Sequence, residues 1–130
     1  MRFYCTDDTV DLEQYPYHVR DVHISDPFIL ADPKSRCYYT YVQFADTKRF
    51  PDVETDKEHG VFYVLESKDL IHWSKPQICF RQNNFWADKD YWAPEVHIWK
   101  GRYYLFSSFR ANGHYRKCQC LVSDSTKRTI

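Results

Sequence analysis

An internal repeat limits the possible folds of this chain more than any other feature of its sequence. Each of two units carries a proline next to an acid, then a tyrosine pair, then a Leu-x-Ser triplet. The two sets are Asp26-Pro27, Tyr38-Tyr39 and Leu65-Glu66-Ser67, and Pro94-Glu95, Tyr103-Tyr104 and Leu121-Val122-Ser123. The first unit is longer because it contains residues 45–60, which are charged, rich in turn residues and predicted to form a loop, whereas the second has only a short predicted turn at Asn112-Gly113. A repeat of this kind predicts two copies of one supersecondary unit.

Both units contain short runs of aromatic and β-branched residues between turn residues, the pattern of antiparallel strands. No segment shows a helical period. The predicted strands are 27–31, 37–44, 61–67 and 76–80 in the first unit, and 94–99, 102–109 and 116–122 in the second. An all-β fold follows, in which each unit is a four-stranded antiparallel sheet, the blade of a β-propeller.

The repeat also predicts how the chain is divided. Residues 1–22 are polar with scattered tyrosines and are predicted to form an N-terminal arm. Residues 23–130 are predicted to form an incomplete propeller domain, with blade 1 at about 23–80 and a truncated blade 2 at about 91–125. Because repeat units need neighbours to cover their faces, we expect the chain to be part of a longer protein.

Charge and hydropathy exclude several functions. The chain has 18 basic and 18 acidic residues, so it lacks the excess of positive charge that a nucleic-acid binder needs. No apolar run reaches the roughly 18 residues of a membrane span. The first ten residues have no signal-peptide core, so we expect a cytoplasmic location. Five cysteines without a C-x-x-C pair are predicted to be reduced thiols, and we expect no metal and no cofactor.

One stretch of the second unit is typical of a sugar site. Tyr91 and Trp92 form an aromatic pair, and Glu95 follows Pro94 at the start of a predicted hairpin. Aromatic rings stack on the apolar faces of sugars, and acids hold hydroxyls or move protons. Two alternatives stay open: Tyr91 and Trp92 could fill space between the blades, and an acid before proline, such as Asp26, often only starts a turn.

The order and spacing of four motifs resemble glycoside hydrolase family 43 from about His23 to Ser123. The motifs are Asp26-Pro27-Phe28-Ile29, Ser67-x-Asp69-Leu70-x-x-Trp73, Trp92-Ala93-Pro94-Glu95-Val96 and Gly101-x-Tyr103-Tyr104-Leu105. The resemblance implies part of a five-bladed β-propeller. It also implies an inverting glycosidase that acts on arabinan, arabinosides or xylosides, with an oligosaccharide or polysaccharide as its partner.

The resemblance further implies roles for individual residues. Asp26 is predicted to be the general base. Glu95, in the matching register of the next repeat, is predicted to set the pKa and orientation of the general acid, although the commoner residue there is Asp. The general acid itself lies in a later blade, and no position of this chain matches it. The predicted sugar contacts are Trp92, Tyr91 and Phe28.

Two other functions fit the same sequence. A non-catalytic carbohydrate-binding propeller module would keep the aromatic cleft and use its acids only to bind hydroxyls. A truncated product would lack activity because it does not fold stably.

Overall fold

The computed structural model describes residues 10–43, 48, 51–55, 61–81 and 85–127. Within these ranges, Val19–Asp21 forms a short 3₁₀ turn and every other regular element is a strand. The strands are β1 (Tyr17–His18), β2 (Ile29–Asp32), β3 (Cys37–Val42), β4 (Val61–Ser67), β5 (His72–Trp73), β6 (Gln77–Arg81), β7 (Lys89–Trp99), β8 (Arg102–Arg110) and β9 (Lys117–Ser123). The predicted all-β class is confirmed. Strand β7 begins five residues earlier than the sequence pattern indicates, because its irregular first half also pairs with β8.

The strands form two antiparallel sheets. The first sheet has the order β1-β5-β4-β3-β2, with β6 also paired to β4, and the second sheet has the order β7-β8-β9. The repeat is visible in their registers, since Tyr38 pairs with Ser67 in the first sheet and Tyr103 pairs with Ser123 in the second. The tyrosine pair and the Leu-x-Ser triplet of each unit therefore lie on adjacent strands and face each other.

The main hydrophobic core lies between the two sheets. It includes Phe62 and Phe80 of the first sheet together with Tyr91 and Phe109 of the second. Phe62 is fully buried, and its ring centroid lies 5.4 Å from that of Tyr91 and 6.0 Å from that of Phe109. Aromatic contacts at these distances stabilise more than the buried area alone would. This packing fixes the two blades against each other.

A second cluster covers the opposite face of the first sheet. Its members include Tyr63 and Leu65, which alternate along β4 with the core residue Phe62. The chain before residue 23 contributes to this face through Tyr17, which packs against the cluster. It is also attached elsewhere on the sheet, since β1 pairs with β5 and the buried Tyr15 hydroxyl donates to Glu66 Oε1 at 2.6 Å. The described part of the predicted arm is therefore packed onto the sheet. Sequence periodicity does not reveal it because β1 is only two residues long.

Within the described ranges no cysteine forms a disulfide, and Cys5 lies outside these ranges. Cys37 and Cys79 are buried, and burial raises the pKa of the Cys79 thiol to about 12. Across the described ranges, no helix has both the length and the apolar character needed to cross a membrane. The same residues contain no cluster of three or more His, Cys, Asp or Glu that could hold a metal ion.

Candidate functional site

Two bulges in β7 shape the candidate site. The pairing of β7 with β8 shifts register between Lys89 and Trp92, and again between Trp92 and Glu95. Asp90 (φ 52) and Ala93 (φ 50) lie in the left-handed region at these shifts. An extra residue in a strand re-aims the neighbouring side chains. Trp92 is consequently 49% exposed, whereas Tyr91, the residue before it, is buried in the core.

Regular alternation resumes after the second bulge. Pro94 and Val96 are buried, whereas Glu95 and His97 are exposed. Because alternate residues of a strand share a face, the side chains of Glu95 and His97 are neighbours. The His97 Nε2 and Glu95 Oε1 atoms are 2.5 Å apart. The bulges and this alternation place a carboxylate and an imidazole together on the surface.

The two units approach their first prolines through the same backbone conformation. Asp26 (φ 53) precedes Pro27, and Ala93 (φ 50) precedes Pro94. A non-glycine residue in this region costs about 1–3 kcal/mol and is typical of functional sites. The shared conformation makes Ala93 the counterpart of Asp26, and Glu95 the counterpart of Phe28. The expected register match of Asp26 with Glu95 is therefore wrong, because Glu95 lies two positions after the counterpart of Asp26.

A glutamine connects the segments that lead into these prolines, which we call the lead-in segments (residues 25–27 and 92–94). Gln43 Oε1 accepts a hydrogen bond from the backbone N–H of Ala93 at 3.3 Å, and Gln43 Nε2 donates to Ser25 Oγ at 3.5 Å. Ser25 adjoins Asp26 in the chain. The Gln43 side chain, just after β3, thus holds the segment that contains Asp26 next to the segment that precedes Glu95.

An aromatic contact makes a second connection between the same parts of the two sheets. The ring of Phe28, two residues after Asp26, lies 5.3 Å from the ring of His97, measured between centroids. His97 is in turn the hydrogen-bond partner of Glu95. Phe28, partly buried at the edge of the core, therefore supports the pair formed by His97 and Glu95. Asp26 is exposed in the adjoining lead-in segment.

Trp92 is held in place from one side. The guanidinium carbon of Arg116 lies 3.7 Å from the centroid of the indole, a close cation–π contact. Arg116 is fixed by hydrogen bonds from Nη1 to the Asp90 carbonyl oxygen at 2.9 Å and to Ser108 Oγ at 3.0 Å. One face of the indole is therefore covered and the ring is fixed. Its contact with a sugar stays a prediction.

Tyr91 fills space between the two sheets, which is the alternative to sugar contact that its sequence left open. It is 4% exposed, and its hydroxyl donates to the Ala87 carbonyl oxygen at 2.8 Å. Its ring lies 4.9 Å from that of Phe109, and burial raises the pKa of its hydroxyl. Tyr91 packs between the sheets, so the prediction that it contacts sugar is corrected.

Two buried acids outside the site have structural partners. Burial by itself would raise the pKa of Asp32, but hydrogen bonds from Ser35, from the Lys34 backbone and from Tyr103 outweigh it and lower the pKa. Its bond with the Tyr103 hydroxyl, 3.2 Å long, joins the two sheets. Glu66 is bound by Tyr15 and, at 2.6 Å, by Lys127 Nζ. These satisfied carboxylates stabilise the fold, whereas Asp26 and Glu95 are exposed on the surface.

Gln43 and Arg116 are residues of the site that sequence reasoning does not identify. Gln43 follows an aromatic strand, and Arg116 immediately precedes β9, a strand without aromatic residues. Neither position belongs to the repeated motifs. A polar residue immediately after a buried apolar strand is the one available signal, and it points to Gln43.

Comparison with known proteins supports the resemblance. The model of the family Glycosyl hydrolases family 43 matches residues 18–128. Among solved structures, an endo-arabinase from Bacteroides thetaiotaomicron VPI-5482 is 34% identical, with a TM-score of 0.72 over 88% of this chain and 36% of that chain. A thermostable family-43 glycoside hydrolase is 26% identical, with a TM-score of 0.62 over 82% of this chain and 32% of that one.

A family 43 endo-arabinanase from Bacillus licheniformis is 22% identical, with a TM-score of 0.55 over 78% of this chain and 33% of that one, and it shows the fold alone. No curated protein matches the chain. The chain spans about a third of the length of the solved structures that it resembles.

Proposed function

Because this chain belongs to glycosyl hydrolases family 43, we propose that it supplies the water-activating side of a glycosidase site. The observation that carries the proposal is the Gln43 bridge, which holds the Asp26 and Trp92 segments together. The 34% identity with an endo-arabinase favours arabinan as the substrate.

Asp26 acts as the general base in this proposal. An inverting glycosidase uses one carboxylate to take a proton from water while a carboxylic acid protonates the leaving oxygen, with the two groups about 6.5–9.5 Å apart. Asp26 is exposed, so water reaches it, and its left-handed backbone limits the directions its side chain can take. The activated water attacks the anomeric carbon from the face opposite the leaving group.

Glu95 acts as the second carboxylate. A negative charge near the proton donor disfavours the donor's ionisation and keeps its pKa high enough to donate. The contact with His97 orients the Glu95 side chain, and Phe28 supports His97. The proposal places an apolar sugar face against Trp92 and Phe28.

The contact between Glu95 and His97 also favours a second candidate, a non-catalytic carbohydrate-binding module. A carboxylate already bound to an imidazole is well suited to accept hydrogen bonds from sugar hydroxyls, with no proton transfer. The two candidates differ in whether Asp26 is required for hydrolysis.

The 130-residue chain by itself is proposed to be a poor catalyst of oligosaccharide hydrolysis. By family resemblance, the proton donor belongs to a later blade. General acid help contributes about 10²–10⁴-fold, and a poor leaving group such as another sugar needs it most.

The test uses the natural gene product that contains this chain, with arabinotriose and a dinitrophenyl arabinoside as substrates. Asp26→Ala should lower kcat/KM on both by about 10²-fold or more, because both need the activated water. Glu95→Gln should affect arabinotriose more, because the dinitrophenolate leaves without protonation. Asp124→Ala is the matched control, since that acid is exposed and bound to Arg102 at the far end of β8. Near-parental rates of Asp26→Ala on both substrates would refute the general-base role.

A further inference from the structure

An open cavity of about 480 Å³ lies at the turn between β8 and β9. It is lined by Arg110, Ala111, Asn112, Gly113, His114, Tyr115 and Arg116. Tyr115 is 93% exposed, an unusual position for a tyrosine whose ring has apolar faces. The cavity therefore offers an aromatic surface next to two arginines.

The cavity is positively charged although the chain as a whole is neutral. Arg110 Nη1 and Arg116 Nη2 both face Asp90 Oδ2, at 3.5 and 3.6 Å, so two guanidinium groups share one carboxylate. Lys89 adds a further cation where it contacts the side chain of Asn112. A concave surface with this excess attracts an anionic ligand.

The two arginines differ in how far they are engaged. Arg116 is committed to the Asp90 carbonyl, Ser108 and the Trp92 ring, and its side chain is 29% exposed. Arg110 has a 51% exposed side chain and a long contact with Asp90. A guanidinium presents two parallel N–H donors that match a carboxylate. Arg110 is thus the residue placed to bind an incoming anion.

The cavity and the candidate active site share one contact, between Arg116 and Trp92. Arg116 lines the cavity and also stacks on Trp92, and Trp92 is three residues before Glu95. A saccharide that contacts Trp92 would therefore extend towards Arg110 and Tyr115. The ligand that fits both the charge and the exposed ring is a sugar with a carboxylate.

We propose that the turn between β8 and β9 is a subsite for a uronic acid residue of the substrate, with Arg110 binding the carboxylate and Tyr115 the ring face. This inference rests on the proposed function and adds to it a class of substrate, a polysaccharide that carries acidic sugars. Neutral oligosaccharides would still reach the site but would leave Arg110 unused.

The test measures binding of two probes by calorimetry to the natural gene product that contains this chain. One probe is arabinotriose with a glucuronic acid branch, and the other is the same molecule with its carboxylate reduced to an alcohol. The acidic probe should bind about tenfold more tightly, the value of one charge-assisted contact. The difference should shrink in about 0.5 M NaCl, because exposed charges are screened.

Variants assign the effect to residues. Arg110→Gln should remove the preference for the acidic probe, whereas Arg102→Gln, at the other end of β8, should keep it. Tyr115→Ala should weaken both probes by a similar factor, and Tyr115→Phe should not. Circular dichroism of each variant confirms that it is folded as the parent is.

The outcomes separate the subsite from the catalytic proposal. Equal affinity for the two probes, or a preference that survives Arg110→Gln, overturns the uronic acid subsite and leaves the catalytic role of Asp26 intact. Failure of the folded gene product to bind either probe also overturns it. Loss of activity is not used as a readout, so a wrong general-base assignment would not mimic any of these results.

Discussion

The two sheets use similar aromatic-rich strands but bury them differently. All seven residues of β4 in the first sheet are buried, whereas burial alternates along β8 in the second. The first sheet is covered on one face by the second sheet and on the other by the cluster around Trp73. The outer positions of β8, such as Phe106, remain exposed or half-buried. A continuous apolar run thus indicates a strand covered on both faces, and alternation indicates one covered face.

The lead-in segments of the two sheets differ in chemistry and agree in backbone. Both place a left-handed residue before proline, but this residue is Asp26 in one sheet and Ala93 in the other. The repeated backbone is a property of the fold. The acid is found in only one copy, so the repeated backbone does not require it.

The largest difference between the sheets should appear in core substitutions. Phe62→Ala removes a fully buried ring from the contact between the sheets and should lower the free energy of unfolding by about 3–5 kcal/mol. Phe106→Ala, at 42% exposure, should change it by less than about 0.5 kcal/mol. Urea denaturation of both variants gives the comparison. Equal losses would mean that the outer face of the second sheet is as well packed as the core.

The turns that follow the Leu-x-Ser triplets give the next difference. Ser67 Oγ accepts a hydrogen bond from the N–H of Asp69, and Ser123 Oγ accepts one from the N–H of Ser125. The first turn adds a carboxylate: Asp69 accepts from the backbone N–H groups of Ile71 and His72 at 2.8 and 2.7 Å. Burial alone would raise the pKa of Asp69, but the bonds from His72, Ile71 and Ser67 outweigh it and lower the pKa to about 2.

Stability should therefore depend on the ionisation of Asp69. Because its folded pKa lies below the unfolded value, its contribution of about 2 kcal/mol is complete above pH about 4 and is lost as the pH falls towards about 2. Asp69→Ala should remove this part of the pH dependence, whereas Asp124→Ala, an exposed acid of the second turn, should not. Thermal melts between pH values of about 2 and about 6 measure this pH dependence of stability. A parental slope in Asp69→Ala would contradict the assignment.

The bridge between the sheets should give the smallest of these effects on stability. Gln43→Ala removes two hydrogen bonds of a partly exposed side chain and should cost about 1 kcal/mol. Gln77→Ala, an exposed glutamine on β6, is the matched control and should cost almost nothing. Hydrogen exchange should show faster exchange at the Ala93 N–H in the Gln43 variant. Unchanged exchange there would exclude Gln43 as the residue that holds the lead-in segments together.

Sequence predicts the parts of this structure that repeat. Strands in which apolar residues alternate with polar ones, such as β8, lie within one or two residues of their predicted bounds. The same repeat accounts for the pairing of Tyr38 with Ser67 and of Tyr103 with Ser123. The bulges at Asp90 and Ala93 are not predictable, because no glycine marks their positive φ. The burial of Tyr91 follows from these bulges. A two-residue strand such as β1 carries too few residues for any period to show.

The site is predictable in part for a physical reason. Acids next to prolines can be read from a sequence, so the motifs alone single out Asp26 and Glu95. Gln43 and Arg116 act through contacts with residues far away in the chain, at Ala93 and Trp92. Contacts of this kind depend on how the sheets pack, and a single sequence does not contain that information.

The most direct test of the shared site is a crystal structure of the natural gene product that contains this chain, bound to arabinotriose. We expect the sugar to lie between the Asp26 and Glu95 carboxylates with one ring against Trp92, and both carboxylates to face the same cavity. Carboxylates on opposite faces of the sheets, or more than about 15 Å apart, would contradict the account, because that separation exceeds any spacing that lets two acids act on one glycosidic bond.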